Sequence, residues 1–384
     1  MPATVYTIAL KLLTGDRIKY LGCVFGVAFS TLLLGQQITI FIGLLALSAS
    51  GVNTVRDADI WVSDPRVQYI DEGEPLRDVE LYRVRSVPSV EWAAPFFVDR
   101  GTLRSPDLDR AYLVEIRGLD DATLAGAPVE MVMGNLEDVR NPETVLINAS
   151  GYQLIWPGED YELGRVVEIN ERRVKIVGIC EIPSTFLADK IFYATYSTAV
   201  NLAPGQRNRL SYVIADPVDG RDPAEVAKEI EAATGLQALT RDAFADRSIR
   251  FVLENTGIPV SFGAVIIMGA VVGIAIVSLT FYQFVSDNLR QFAALKAVGV
   301  TNWQIIRMVF VQATLIEIVG FGLGVGGAAL FFYAGQDSPD LKYFIFRWQV
   351  VLGIFVAITL IMLLSIVTSI RRVLVLDPAV VFRG

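Results

Sequence analysis

The sequence predicts an α-helical membrane protein, with four transmembrane helices and an α+β domain inserted after the first. Three observations carry this. Four long apolar segments stand out: Leu21–Leu47, and roughly Val260–Val285, Ile305–Tyr333 and Gln349–Ile370. Each is long enough for a bilayer core of about 30 Å, which takes about 20 apolar residues in a helix. The segments are split one plus three around a charged stretch of about 200 residues. Overall, charged residues are 19% and hydrophobic residues 53%, against roughly 25% charged in soluble chains.

Charge is unevenly placed. Residues 48–258 hold 22 Lys/Arg and 35 Asp/Glu, net −13, while the remainder holds 11 basic and 6 acidic residues, net +5. An acidic domain offers no face for phosphate, so no nucleic-acid partner is expected. The chain has no histidine, which removes HExxH zinc sites, Ser-His-Asp triads and imidazole relays. Its two cysteines, Cys23 and Cys180, fall in the first span and the inserted domain. Neither an internal disulfide nor a CxxC motif is expected. No GxxxxGK[ST] occurs, so no P-loop is present in these residues. A membrane enzyme is thus disfavoured: no catalytic residue, metal site or cofactor is expected on this chain.

In chain order, residues 1–20 read as an amphipathic elbow: Val5, Ile8, Ala9, Leu12 and Leu13 share a face opposite Lys11, and Gly15-Asp16 ends it. The first span is set at 21–47. Its length and Gln36-Gln37 argue against a cleaved leader. The inserted domain, 48–258, reads as mixed α/β. Strands are expected at Ala58–Val62, Val90–Val98, Ser211–Ala215 and Leu236–Leu239, with helices at Leu76–Val84 and Pro223–Ala233. Asp222 is the expected N-cap and Pro223 the first helical residue. This β-α-β pattern flanks a β-rich portion near 105–210, where Val166–Asn170 and Arg173–Gly178 alternate around a Glu171-Arg172 turn. The layout predicts a small β-lobe inserted into an α/β lobe. The acidic pairs Glu72/Glu74 and Asp120/Asp121 lack calcium-loop spacing and read as solvated surface. Phe244–Glu254 reads as an amphipathic helix, and Gly257-Ile258-Pro259 marks a break before the second span. Near-continuous helices at both ends of the domain would make a stiff stalk.

The second span is set at 259–286, the third at 305–333 and the fourth at 349–370, with a tail at 371–384. Between the second and third, residues 287–304 form a connecting segment. It begins as a helix with Leu289, Phe292 and Leu295 on one face, Arg290 and Lys296 elsewhere, Gly299 placed to end it, and Thr301 or Asn302 to cap the next helix. Lys/Arg mark the short loops that stay in the cytoplasm. Lys11, Arg17 and Lys19, then Arg290, Lys296 and Arg307, then Arg371, Arg372 and Arg383 put both termini and this segment inside. The inserted domain is then outside, in the periplasm of a bacterium with two membranes.

Within the spans, Glu317 and Gln312 in the third and Gln36 and Gln37 in the first are the intramembrane polar residues. A carboxylate there is a functional hypothesis by default. Without an intramembrane Asp, Lys, Arg or His partner, Glu317 reads as a hydrogen-bonded helix contact ahead of a proton relay. Gly320, Gly322, Gly324, Gly326 and Gly327 permit close helix approach.

The run Phe292-Ala-Ala-Leu-Lys-Ala-Val-Gly-Val-Thr-Asn-Trp-Gln-Ile305 resembles the coupling segment of MacB/FtsX-like ABC transporter permeases, in which E-x-G-x-L-K-A-x-G follows the second span. The elbow (Ala9-Leu10, Leu13), the one-plus-three layout and the ending Leu376-Asp377-Pro378 to Arg383-Gly384 agree. Ala28-Phe29, Leu32-Leu33 and Gln36, together with Leu295-Lys296-Ala297-Val298-Gly299 and the ending Val381-Phe382-Arg383-Gly384, look closest to the DevC-type branch. Gln291 stands where the family has its early acidic residue, which leaves a hydrogen bond in place of a charge pair.

The resemblance implies a MacB-like permease fold and a permease subunit of an ABC-type exporter in the bacterial inner membrane. That subunit would work as a homodimer with a separate ABC ATPase, which would hold the ATP and Mg. A periplasmic adaptor (membrane fusion protein) and an outer-membrane channel are the further partners it implies. Coupling to the ATPase would fall to Arg290, Gln291, Phe292, Leu295, Lys296, Ala297, Gly299, Thr301 and Trp303. The alternatives are a signalling subunit that regulates a periplasmic enzyme, as in the cell-division branch, or a lipoprotein-releasing permease.

Overall fold

A computed structural model describes residues 7, 11, 13, 17–105, 110–185, 187–203, 209–336, 338 and 341–375. The expected tail from 376 onward, and all of the expected elbow up to residue 16 except Thr7, Lys11 and Leu13, lie outside the described residues. The first helix, α1, runs unbroken from Arg17 to Asn53. At 1.5 Å per residue its 37 residues measure about 55 Å. It outruns the apolar segment 21–47 at both ends, because serines near its C-terminal end stay helical. Ser48 Oγ and Ser50 Oγ donate to the carbonyls of Leu45 and Leu47, at 2.6 and 2.7 Å. Apolar runs mark where lipid is tolerated, and a helix does not stop there.

Two compact units result: residues 1–43 with 257–384, and residues 44–256. In the second, β1 (Ile60–Ser63), β2 (Leu76–Arg77), α2 (Val79–Arg85) and β3 (Val90–Arg104) come first. Then follow β4 (Tyr112–Leu119), β5 (Met131–Gly134), β6 (Thr144–Asn148), α3 (Ala149–Ile155), β7 (Val166–Ile169), β8 (Arg172–Cys180), β9 (Ile191–Thr195) and α4 (Tyr196–Leu202). Last are β10 (Arg209–Leu210), β11 (Tyr212–Pro217), α5 (Pro223–Thr234), β12 (Gln237–Thr240) and α6 (Arg241–Asn255).

Ten strands form one sheet in the order β12-β1-β11-β3-β4-β9-β6-β8-β5, with β7 against β3 and β8, while β2 and β10 pair separately. Strand β3 is the hinge of this arrangement. Its Val90–Phe96 half pairs with β11 and its Phe97–Leu103 half pairs with β4. The two lobes read from the sequence are therefore two halves of one sheet that share a strand. The expected strand 90–98 was too short because Asp99, Arg100 and Gly101 interrupt the apolar alternation. Gly101 sits where a Cβ would come within 3.0 Å of Ile116 and Ile169 side-chain atoms, so the glycine lets neighbouring side chains close over β3.

Each half keeps its own core. One joins Ile60, Val62, Val213 and Ala215 of the sheet to Leu81 and Val84 of α2 and Val226 and Ile230 of α5. The other joins Phe97, Ile116, Ile147 and Phe192 to Tyr152 of α3 and Leu202 of α4. Trp61 packs edge-on against Phe96 and Tyr212 and lies 5.7 Å from the Phe244 ring of α6. Phe244 is thus the apolar anchor of that helix.

Local chemistry follows the chain. Asp222 accepts from Ala224 N at 3.2 Å, with Pro223 opening α5, and Gly235 closes it at φ 72°. The β7–β8 hairpin turns at Asn170-Glu171, with φ of 47° and 66°. That is one residue earlier than expected, because a two-residue turn that follows the strand twist needs left-handed backbone at both positions, and asparagine tolerates it. The helix expected at Leu76 begins at Val79, since Leu76 and Arg77 pair with β10.

The other unit adds α7 (Ile258–Asp287), α8 (Leu289–Ala297), α9 (Asn302–Gly335) and α10 (Trp348–Val375). Pro259 lies in the first turn of α7, after the break at Thr256 and Gly257. Among the described residues, four helices are long and apolar enough to cross a membrane: α1, α7, α9 and α10. Glycines set their spacing. A Cβ at Gly26 would meet Ile276 Cγ2 at 2.9 Å, and one at Gly273 would meet Ser30 Oγ at 2.8 Å. On α9, a Cβ at Gly320 would lie 2.9 Å from Val24 O, and at Gly324 it would lie 2.5 Å from Ala28 O. These helices approach backbone to backbone. The outward faces carry exposed Ile267, Leu323, Leu360 and Leu364, an apolar surface suited to hydrocarbon as solvent.

Candidate functional site

The turn between α7 and α9 is built from three backbone devices. Helix α7 ends where Asn288 folds back: its Nδ2 donates to Phe284 O at 2.7 Å and its carbonyl accepts from Gln291 N and Phe292 N at 3.0 Å. Helix α8 then ends in a Schellman motif. Gly299 has φ 95°, its N–H reaches Lys296 O, and Val300 N–H reaches Leu295 O, both at 3.0 Å. The next helix opens with a capping box, in which Thr301 Oγ1 accepts from Gln304 N and Gln304 Oε1 accepts from Thr301 N at 2.9 Å. Lys296 lies in the last turn of α8, where a cation complements the helix dipole. The N–H groups of Gly299, Val300, Thr301 and Gln304 all have partners within a few residues, which stiffens the bend.

The site residues divide by exposure. Phe292 is fully buried in the apolar cluster with Ile305 and Val309, Leu289 and Val300 pack against that cluster, and Ala293 is buried as well. Phe292 therefore anchors α8 to its own helices and does not present itself to a partner. Leu295 and Lys296 are half-buried. Arg290, Gln291, Ala297, Gly299, Thr301 and Trp303 are exposed. Val298, which the sequence reading passed over, is the most exposed of the apolar residues here at 86%, and Trp303 is 61% exposed. Arg307 stacks its guanidinium 5.3 Å above the Trp303 ring. Asp287 holds Lys19 of α1 at 2.9 Å, a contact that sequence spacing could not reveal. The exposed surface is thus a small basic and apolar knob: Val298, Trp303, Arg290 and Arg307.

Glu317 is buried, and the Thr359 hydroxyl of α10 donates to its Oε1. It joins two helices, and Gln312 is buried on the same helix α9. Gln36 and Gln37 are half-buried, and among the described residues neither makes a cross-helix hydrogen bond. No group of three His, Cys, Asp or Glu side chains among the described residues could hold a metal ion.

Four membrane-length helices, an inserted mixed-sheet domain and an anchored, exposed turn after the second span make up the layout of a membrane permease. Residues 21–233 match the MacB-like periplasmic core domain and residues 263–378 the FtsX-like permease C-terminal domain. The first match alone spans more than half the chain, and the chain belongs to the MacB/FtsX-like permease family.

Among its curated relatives is the macrolide export ATP-binding/permease protein MacB of Agrobacterium fabrum, 24% identical over 389 residues, covering 93% of this chain and 56% of that protein. MacB of Psychrobacter arcticus is 23% identical over 346 residues, covering 86% and 51%. The chain spans about half the length of these relatives. An uncharacterized ABC transporter permease of Mycobacterium tuberculosis is 26% identical over 320 residues, covering 81% of this chain and 80% of that protein. The crystal structure of the periplasmic region of MacB from Actinobacillus actinomycetemcomitans aligns at TM-score 0.38 and 16% identity, covering 53% of this chain and 96% of that one.

Proposed function

We propose that this chain is the permease subunit of an ABC-type exporter, which receives ATP-driven motion at the α8 turn and passes it to the inserted domain. The observation that carries this reading is the α8 turn itself. It is anchored through Phe292, closed by a Schellman motif and a capping box, and exposes Val298 and Trp303. An apolar knob on a stiff bend suits a groove on a partner, as amphipathic helices do. A flexible loop would absorb displacement; a helix continuous from Arg17 to Asn53 transmits it. The partner is an ATPase carrying ATP and Mg, and two copies of the chain flank the route. The turn and both termini face the cytoplasm, and the inserted domain faces the periplasm of the inner membrane. The DevC-type likeness and the export relatives extend the assembly to a periplasmic adaptor and an outer-membrane channel.

Leu295→Glu tests this. The side chain is half-buried beside the exposed turn, so the fold survives while the contact is altered. In proteoliposomes with the co-purified ATPase, ATP hydrolysis should persist while export per ATP falls at least about tenfold. Export that matches the wild type would overturn the assignment of this turn.

A further inference from the structure

Residues of the 71–75 loop, β3 and β4 enclose a cavity of about 190 Å3. A water occupies about 10–15 Å3 by the same measure, so the space suits a small organic ion with some water. Its wall carries the carboxylates of Asp71, Glu72, Asp99 and Glu115, against the single guanidinium of Arg100. Glu115 is 1% exposed; its Oε1 accepts from Arg117 Nε at 2.7 Å, while its Oε2 is buried with no hydrogen-bond partner. Arg117 is already committed elsewhere, to Tyr193 OH at 2.9 Å and Thr54 Oγ1 at 3.5 Å. Asp71 Oδ2 accepts from Tyr69 OH at 3.1 Å. With Arg117 counted, four carboxylates face two guanidiniums. A buried carboxylate oxygen without a donor is costly, and a donor that brings positive charge satisfies it best.

We propose that this cavity binds a small primary ammonium ion, whose N–H donors meet Glu115 Oε2 and the Asp71 carboxylate. The excess negative charge rules against an anion. No three acidic, His or Cys side chains among the described residues come together tightly enough for a metal ion, whereas an ammonium with a short carbon stem spans dispersed acceptors. Protons compete for the same seat. Around Asp71 stand Tyr69 and Glu72 of its own loop, Glu115 and Arg117 of β4, Tyr212 of β11 and the Thr185 hydroxyl. Burial and the Glu115 charge push Asp71 up to about 6, against the pull of Arg117, Tyr69 and Thr185.

The test is thermal unfolding of the full chain in detergent with methylammonium chloride at pH 7.5. A saturable rise in Tm is expected, absent with equal tetramethylammonium or sodium chloride. It should be lost in Asp71→Asn and weakened at least about tenfold at pH 5. Asp216→Asn, on the wall of a different cleft, should keep it. Glu115→Gln removes the charge partner of a buried arginine and can unfold, so Asp71→Asn carries the decision. An equal response to tetramethylammonium, a response retained in Asp71→Asn, or a larger response to magnesium chloride would overturn the proposal.

Discussion

Arg117 has 1% of its surface exposed, and its guanidinium meets Glu115, Tyr193 and Thr54. Its hydrogen bond to Thr54, just past the end of α1, ties that helix end to the sheet, as Ser50 Oγ does by donating to Ser184 O at 2.9 Å. The burial of Asp71 near this group has a consequence for pH. Its folded-state value lies at about 6, above an ordinary 3.8. A raised carboxyl value means that the native state holds the proton more tightly. The stabilisation is therefore complete below about pH 4 and is lost as pH rises through about 6. Asp71→Asn should remove about 3 kcal/mol of pH-dependent stability. Its Tm should change less than the wild-type Tm between pH 7 and pH 5; parallel profiles would refute the assignment. None of this is visible in the sequence, where Asp71 and Glu115 stand 44 positions apart and count only as members of an acidic domain.

At the scale of elements, the third span shows how far a sequence pattern reaches. Five glycines between positions 320 and 327 of α9 announce close packing, but composition does not say which of them touch. Gly320, Gly324 and Gly327 face Val24, Val27, Ala28, Thr31 and Leu32 of α1, while Gly322 and Gly326 have no heavy atom within 4 Å of a built Cβ. Gly324→Val should therefore destabilise by about 1–3 kcal/mol or more through overpacking, while Gly326→Val stays within about 0.5 kcal/mol. Thermal unfolding in detergent reads the contrast, and equal losses would contradict the packing. The α8 turn was legible for a different reason. Gly299, Thr301 and Gln304 are local signals whose partners lie within a few residues, so motif and structure coincide. The side on which Phe292 lies is not local. An amphipathic face shows that one side of α8 is covered, without saying whether by its own helices or by a partner.

For the whole molecule, orientation is the property on which the exporter reading stands, and Val298 offers a direct probe. It is 86% exposed, while the two cysteines, Cys23 and Cys180, are buried as free thiols. Burial pushes the Cys180 thiol up to about 12, which suppresses its background reaction. Val298→Cys should resist a membrane-impermeant maleimide in intact cells and label fully after permeabilisation. Labelling of intact cells would place the turn outside and remove its access to ATP.

What the sequence determined by itself was the part written in composition and local periodicity: four lipid-compatible helices, an acidic mixed domain between the first and second, and a capped bend after the second. These follow from solvent preference and from hydrogen bonds over a few residues, which any window of the chain displays. Only the tertiary structure decided the rest. It made one sheet of two lobes by running β3 through both, turned Phe292 inward, paired Glu317 with Thr359, and left one oxygen of Glu115 without a donor. Each of these depends on groups brought together from distant positions, and the energy of such a contact resides in the meeting, which no single stretch of sequence contains.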